Sequence, residues 1–190
     1  MSKKIFDFFG ALVLLVLTAP LFPLIALWIK ATSPGPVMFR QIRPGHRGVP
    51  FTLFKFRTLI DGTGRPLDTV LPGDQRVTAP GRFLRKTHMD ELPQLINVLL
   101  GQMSLIGPRP FSIKQTEARV REIPSFARRL DILPGITGLA QIRGRKWLLK
   151  RGLRCMSRLD LFYVDHERCL GLNLYILFKT VEIVLRGKGV

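Results

Sequence analysis

Residues 5–29 form a single apolar run, IFDFFGALVLLVLTAPLFPLIALWI, with Asp7 its one charged residue and Pro20 and Pro23 inside it. As one helix rising 1.5 Å per residue, the run would reach roughly 37 Å, beyond the ~30 Å of a bilayer's hydrocarbon core. A single membrane-crossing anchor is the plain reading of that length. A cleaved signal peptide fits poorly, because the run is too long and no small-x-small site follows it. The prolines argue against one straight helix. They lack the N–H groups that would bond the carbonyls of Val16 and Ala19, so a break is expected there. Residues 5–19 alone would measure only about 22 Å, too short to cross. Cationic residues flank both ends, Lys3 and Lys4 before and Lys30, Arg40 and Arg43 after. Positive charge marks the cytoplasmic side of a membrane segment, so both ends lie on one face. Asp7 also sits more easily near the interface than at mid-depth. The segment therefore reads as a re-entrant hairpin bent at Ala19 and Pro20, with the Thr18 hydroxyl a candidate partner for the freed carbonyls.

The remaining chain is basic and apolar at once. Lys and Arg number 30 against 13 Asp and Glu, a formal charge of +17, while 46% of the 190 residues are hydrophobic. That balance calls for a polyanionic partner, and with this hydropathy a membrane surface comes before nucleic acid. Cys155 and Cys169 form no CxxC and read as reduced, structural thiols. His46, His88 and His166 show no metal-ligand spacing, which argues against zinc.

Along the chain, a Pro/Gly turn leads to a short strand over residues 37–41, able to pair as a hairpin with 51–58 (FTLFKFRT). Residues 61–80 form a polar loop long enough to be functional, and residues 81–87 begin a helix. In 87–110, THMDELPQLINVLLGQMSLIGPRP, Pro93 is tolerated only in a first helical turn. This puts Asp90 near an N-cap, Glu91 at the helix start and Gly101 at its stop, with Leu92, Leu95, Ile96, Leu99 and Leu100 as the buried stripe. A helix bent at Pro124 is expected over 112–130, a Gly-punctuated loop over 133–145, and two further helices near 153–166 and 172–186. The fold class is α+β, mostly helical with a small β-hairpin, divided into residues 1–30 and a catalytic domain over 31–190.

The chemistry centres on the adjacent acids. A carboxylate at a helix N-terminus meets exposed N–H groups and the positive dipole end, so Asp90 stays ionised and free to act as nucleophile or metal ligand. Glu91 lies about 100° round the axis, placed to act as a proton acceptor. Mg²⁺ would neutralise both an anionic nucleophile and its phosphate target. A purely structural reading, N-cap plus solvated acid, stands beside this one. Lys55 and Arg57 alternate with aromatics in a strand and so share a face, which is either catalytic or merely solvated. Arg109, stiffened between two prolines, suits a bidentate phosphate contact or is a simple turn arginine. Arg143 and Arg145 follow the Gly-rich loop, and Asp160 by itself is only a helix acid.

Taken together, SPGPVMFRQIRPG, FKFRT, GRFLRKTHMDELPQLINVLLGQMSLIGPRP, PGITGLAQIRGR and LDLFYV resemble, in order and over residues 6–190, the blocks of the bacterial sugar transferases, or monotopic phosphoglycosyl transferases. The resemblance implies transfer of a phospho-sugar from a nucleotide diphosphate sugar, usually UDP-linked, to polyprenol (undecaprenyl) phosphate, with UMP as the other product. It implies a covalent mechanism in which Asp90 attacks the β-phosphorus and is associated with Mg²⁺, while Glu91 deprotonates the incoming polyprenol phosphate. It adds Lys55, Arg57, Arg85, Arg109, Arg145 and Asp160 as substrate-site residues. It also implies a re-entrant helix, membrane lipids as partners, and a catalytic domain on the cytoplasmic face of the bacterial inner membrane. The pathway would be the start of exopolysaccharide, lipopolysaccharide or other glycoconjugate assembly, and oligomeric state is left open, a homodimer included. Departures from the family pattern are Ala19 for the usual Ser at the bend, Leu59 for Met, Lys146 for Asn and Asn173 for an acid; they bear on the sugar more than on the reaction. The rival is a membrane-anchored basic module that binds nucleic acid or acidic partners without catalysis, but no nucleic-acid signature supports it.

Overall fold

The N-terminal run folds as two helices, α1 (Lys3–Thr18) and α2 (Leu21–Thr32), bent by 60° across Ala19 and Pro20. A computed structural model describes residues 3–60 and 74–186, with backbone alone at 145 and 146. The carbonyls that the prolines orphan find tighter i→i+3 donors: Ala19 N–H donates to Val16 (3.3 Å) and Phe22 N–H to Ala19 (3.1 Å). The Thr18 hydroxyl, expected to serve them, instead donates to Leu14 (2.7 Å), one turn earlier. Among the described residues no single helix is long and apolar enough to cross a membrane; only this bent pair reaches the required length.

Asp7 is buried against the rest of the protein, accepting from Lys3 Nζ and from the backbone N–H of Leu105, both at 3.1 Å. α1 thus docks on the globular part at its first turns, while Phe9, Val13, Val16 and Leu17 stay exposed on its outer face.

Next comes the hairpin of β1 (Met38–Pro44) and β2 (Pro50–Phe56), antiparallel with Phe39 opposite Lys55 and Gln41 opposite Leu53. It is the hairpin read from sequence, with the first strand running three residues further. β2's other edge is closed by a side chain rather than a strand. Asn97 accepts from Phe54 N–H (3.1 Å) and donates to the Thr52 carbonyl (2.7 Å), which explains why it is fully buried. Of the loop expected over 61–80, residues 61–73 lie outside the described ones. Residues 74–78 lead into α3 (Ala79–Thr87), capped by the Thr78 side chain accepting from Gly81 N–H (3.0 Å).

Helix α4 (Gln94–Leu99) is shorter than expected and starts after Pro93; Asp90 and Glu91 occupy a 3₁₀ turn, Met89–Glu91, ahead of it. The N-cap placement of Asp90 is therefore corrected. The turn is set by His88, which closes α3 in the left-handed region at φ 59°, an uncommon conformation for a non-glycine. Leu95 faces the core as expected, but Leu100 is 60% exposed and Asn97 and Val98 take the inner positions. The stripe shifts because Gly101, at φ 70°, ends the helix immediately after Leu100.

Two three-residue strands, β3 (Ser104–Ile106) after α4 and β4 (Gly135–Thr137) inside the expected Gly-punctuated loop, pair in parallel and were not read from sequence. A Cβ on Gly135 would lie 2.0 Å from Gly107 N, so only glycine allows the approach. Helix α5 (Ile113–Glu122) is followed by the 3₁₀ segment Pro124–Asp131, with the break where Pro124 predicts it. Helices α6 (Arg145–Asp165), kinked at Gly152, and α7 (Leu170–Leu185) complete the α+β architecture. Asn173 does not line the large cleft of the molecule; it is buried in the core, accepting from Tyr163 Oη at 2.8 Å.

Candidate active site

Four elements deliver charged groups to one cleft. Lys55 continues the core-facing row of Phe51 and Leu53 on β2, since alternate residues share a face. Arg85 comes from the last turn of α3, its Nε donating to Thr58 Oγ1 at 2.8 Å. Asp90 and Glu91 come from the 3₁₀ turn, and Arg109 from the Pro-flanked turn after β3. The cleft has a volume of about 810 Å³, and Leu148, Leu149, Leu153 and Met156 of α6 give it one apolar wall.

Glu91 is clamped. Its Oε1 accepts from Lys55 Nζ (2.5 Å) and from Arg109 Nη2 (2.6 Å), and Oε2 accepts from Arg109 Nη1 (3.4 Å). Burial works against the charge on Glu91, but Arg109 and Lys55 outweigh it and hold the carboxyl well below the usual range. Lys55 is itself pulled down by burial despite Glu91. Asp90, one residue earlier and 8% exposed, makes no side-chain hydrogen bond among the described residues. Burial pushes its carboxyl up, with Lys55, Arg85 and Arg109 pulling the other way and Glu91 adding to the rise. The pair thus divides into an ion-paired acid and an unpartnered one.

The other expected residues separate. Asp160 is buried against Arg129 (3.1 Å), and burial raises its carboxyl despite that partner. Arg57 lines the cleft, but its guanidinium turns away to donate to the carbonyls of Ser33 (2.8 Å) and Pro34 (2.6 Å), tying the helical hairpin's exit to the end of β2. The Arg145 and Lys146 side chains lie outside the described residues. Arg143 is exposed, over the Trp147 ring at 6.0 Å. Leu59 is buried and lines the cleft. Sequence reasoning missed Arg129 and Arg119; their signal was only a scatter of arginines around 119–129, indistinguishable from a solvated basic face.

Mg²⁺ takes oxygen ligands and is usually held by one or two carboxylates plus substrate phosphates. Asp90 is the carboxylate at liberty to serve, Glu91 being engaged by two cations, and no cluster of three potential ligands occurs among the described residues. The donor set fits a metal shared with a phosphorylated substrate, not an all-protein cage.

The sequence model described as bacterial sugar transferase matches residues 1–187. A UDP-glucose:undecaprenyl-phosphate glucose-1-phosphate transferase of Caulobacter vibrioides is 47% identical over 145 residues, 76% of this chain. An exopolysaccharide production protein of Rhizobium leguminosarum is 39% identical over 98% of the chain and 97% of its own length. An undecaprenyl-phosphate galactose phosphotransferase of Salmonella typhimurium is 36% identical over 98% of the chain. The chain spans about half the Caulobacter protein (54%) and 41% of the Salmonella one. On the match across 187 residues, the chain belongs to the bacterial sugar transferase family.

Proposed function

We propose that this chain transfers a phospho-sugar from a UDP-sugar to polyprenol (undecaprenyl) phosphate, giving polyprenyl diphosphate-sugar and UMP. The observation that carries the reading is the unpartnered, buried carboxylate of Asp90 beside a Glu91 already clamped by Lys55 and Arg109. In the first step an Asp90 oxygen bonds to the β-phosphorus and the bond from that phosphorus to the α–β bridging oxygen breaks, releasing UMP and leaving a phospho-sugar on Asp90. In the second, an oxygen of polyprenol phosphate attacks the same phosphorus and Asp90 leaves as carboxylate. One anhydride replaces another, so positioning and charge stabilisation carry the catalysis.

Lys55, Arg85 and Arg109 supply positive charge where the diphosphate must lie, and the donor competes with Glu91 for two of them. As Lys55 and Arg109 turn to phosphate, Glu91 loses the partners that depress it and becomes able to accept the acceptor's proton. Asp90 would hold Mg²⁺ together with substrate phosphate oxygens, and the ion would supply neutralisation of the anionic groups that must meet. The apolar α6 wall suits the sugar ring or the first isoprene units of the acceptor.

The bent α1–α2 pair, with its exposed apolar faces and cations at both ends, serves as a re-entrant membrane hairpin over residues 1–30. Residues 31–190 then rest on the cytoplasmic face of the inner membrane. The relatives named for glucose and for galactose leave the sugar undetermined. A binding module without catalysis would account for the basic charge but not for a buried acid pair.

UMP release from a panel of UDP-sugars with Mg²⁺ and undecaprenyl phosphate tests the reading. One sugar should give release that depends on lipid acceptor and metal and disappears in Asp90→Asn. Undiminished release by that variant would sink the nucleophile assignment.

A further inference from the structure

Arg109 reaches Glu91 from a turn whose backbone must be held in place, and the hold comes from a residue far from the acids. Arg129, in the 3₁₀ segment Pro124–Asp131, is 5% exposed and donates from Nη2 to the carbonyl of Arg109 at 2.6 Å. Its charge is answered by Asp160 of α6 at 3.1 Å, both side chains 4% exposed. The guanidinium lies 4.6 Å from the Phe111 ring centroid and 4.5 Å from that of Phe126. Arg119 covers Phe111 as well, at 3.9 Å. On the other side of the same turn the Pro108 carbonyl accepts from Gly135 N–H at 2.9 Å.

Charged groups this deep are costly to bury, and replacing a buried ion pair by apolar residues of like volume is often neutral for stability. What an apolar pair cannot do is grip the carbonyl of Arg109 with a fixed, planar donor. We propose that Arg129 is a positioning residue of the active site: held by Asp160 and the two phenylalanines, it sets the backbone of Arg109 so that the Arg109 fork meets Glu91 and the donor phosphate. Asp160 then acts through Arg129, not on substrate, and α6, which also forms the apolar wall, is coupled to the phosphate-binding arginine. The proposal rests on the transferase reading.

The test is a double-mutant cycle on the full chain in detergent, following UMP release. Arg129→Lys keeps the charge opposite Asp160 but gives up the planar fork. Alone it should lower kcat/KM by about 10- to 100-fold, the loss expected when a catalytic group is misplaced by about an ångström. In an Arg109→Ala background it should cost no more than about twofold further, because the residue it acts through is gone. Combined with Arg85→Ala, which sits on another element, the losses should multiply. A general structural defect would multiply with both. Activity of Arg129→Lys within about twofold of wild type, or full multiplication with Arg109→Ala, overturns the proposal. Should Arg129→Lys lose its melting transition, Asp160→Asn takes its place in the cycle with the same outcomes. If wild type releases no UMP from any donor, the transferase reading fails separately. UDP affinity by titration calorimetry then carries the cycle, with non-additivity against Arg109→Ala again the supporting result and additivity the opposing one.

Discussion

Asp90 and Glu91 are neighbours in sequence, yet their surroundings pull their acidities apart, upward for Asp90 through burial and downward for Glu91 through Arg109 and Lys55. A folded-state carboxyl that is raised binds protons more tightly than in the unfolded chain, so its ionisation costs stability as pH rises through that value. Asp90→Asn should therefore be inactive and yet melt a few degrees higher than wild type at pH 7, with the gap closing as pH falls. Calorimetry at pH 7 and pH 4 checks this; an inactive but less stable variant would count against an unpartnered Asp90. Glu91 behaves oppositely. Its contribution is full above its ordinary value of 4.5 and is lost as pH falls toward its depressed folded value. Glu91→Gln should cost about 1–3 kcal/mol at pH 7, moderated by the exposure of Arg109, and the difference should shrink below pH 4.5 in urea titrations. The acids, Lys55 and Arg109 were legible in the sequence because each sits in a local pattern: an acid pair before a proline, a strand alternation, a Pro-Arg-Pro turn. What Arg57 and Arg129 hold was not, because Arg57 meets Ser33 24 positions earlier and Arg129 meets Arg109 20 positions earlier and Asp160 on α6, and nothing near them in sequence distinguishes a gripping arginine from a solvated one.

The hairpin and the break at Pro20 followed from alternation and from missing N–H groups, and both elements formed where those rules put them. The expected helix start at Asp90 did not, because a non-glycine left-handed residue, His88, and a 3₁₀ turn intervene between α3 and α4. Nothing in local propensity announces such a turn; α3, which leads into it, is seated on Thr58 just after β2, where a Cβ on Gly81 would meet the carbonyl at 2.2 Å. The β3–β4 pair escaped notice for a related reason: three-residue strands carry no periodicity, and their pairing joins segments about thirty residues apart. That pairing supports the Arg109 turn directly. Gly135→Ala should push β4 off Gly107 at a cost of about 1–3 kcal/mol or more, and should lower activity beyond what the loss of fold explains. Melting curves and UMP release measured on the same preparation decide it; wild-type behaviour in both would contradict the close approach. At the other end of β3, Asp7→Ala leaves Lys3 and the Leu105 N–H without their carboxylate and should cost about 1–3 kcal/mol by urea denaturation; a loss under about 0.5 kcal/mol would show that α1 is not anchored there.

Helical hairpin and catalytic part are joined by buried polar ties as well as by apolar packing: Asp7 to β3 at one end, Arg57 to the exit of α2 at the other. On the membrane reading proposed above, the exposed apolar residues of α1, α2 and α7 are the surface offered to lipid, and the cations that offered to its headgroups. With Cys155 and Cys169 replaced by serine, single cysteines at Lys4 and Lys30 should both label from the cytoplasmic face; labelling from opposite faces would replace the re-entrant hairpin with a span. The account as a whole stands on Asp90 as the nucleophile that carries the phospho-sugar between donor and acceptor. Incubating the full chain with its UDP-sugar and Mg²⁺, without lipid acceptor, and analysing the Asp90 peptide by mass spectrometry examines that step alone. A phospho-sugar on Asp90, formed with one UMP released and discharged when polyprenol phosphate is added, is the predicted result. Steady turnover with no adduct on that peptide, or an adduct still formed by Asp90→Asn, would contradict it.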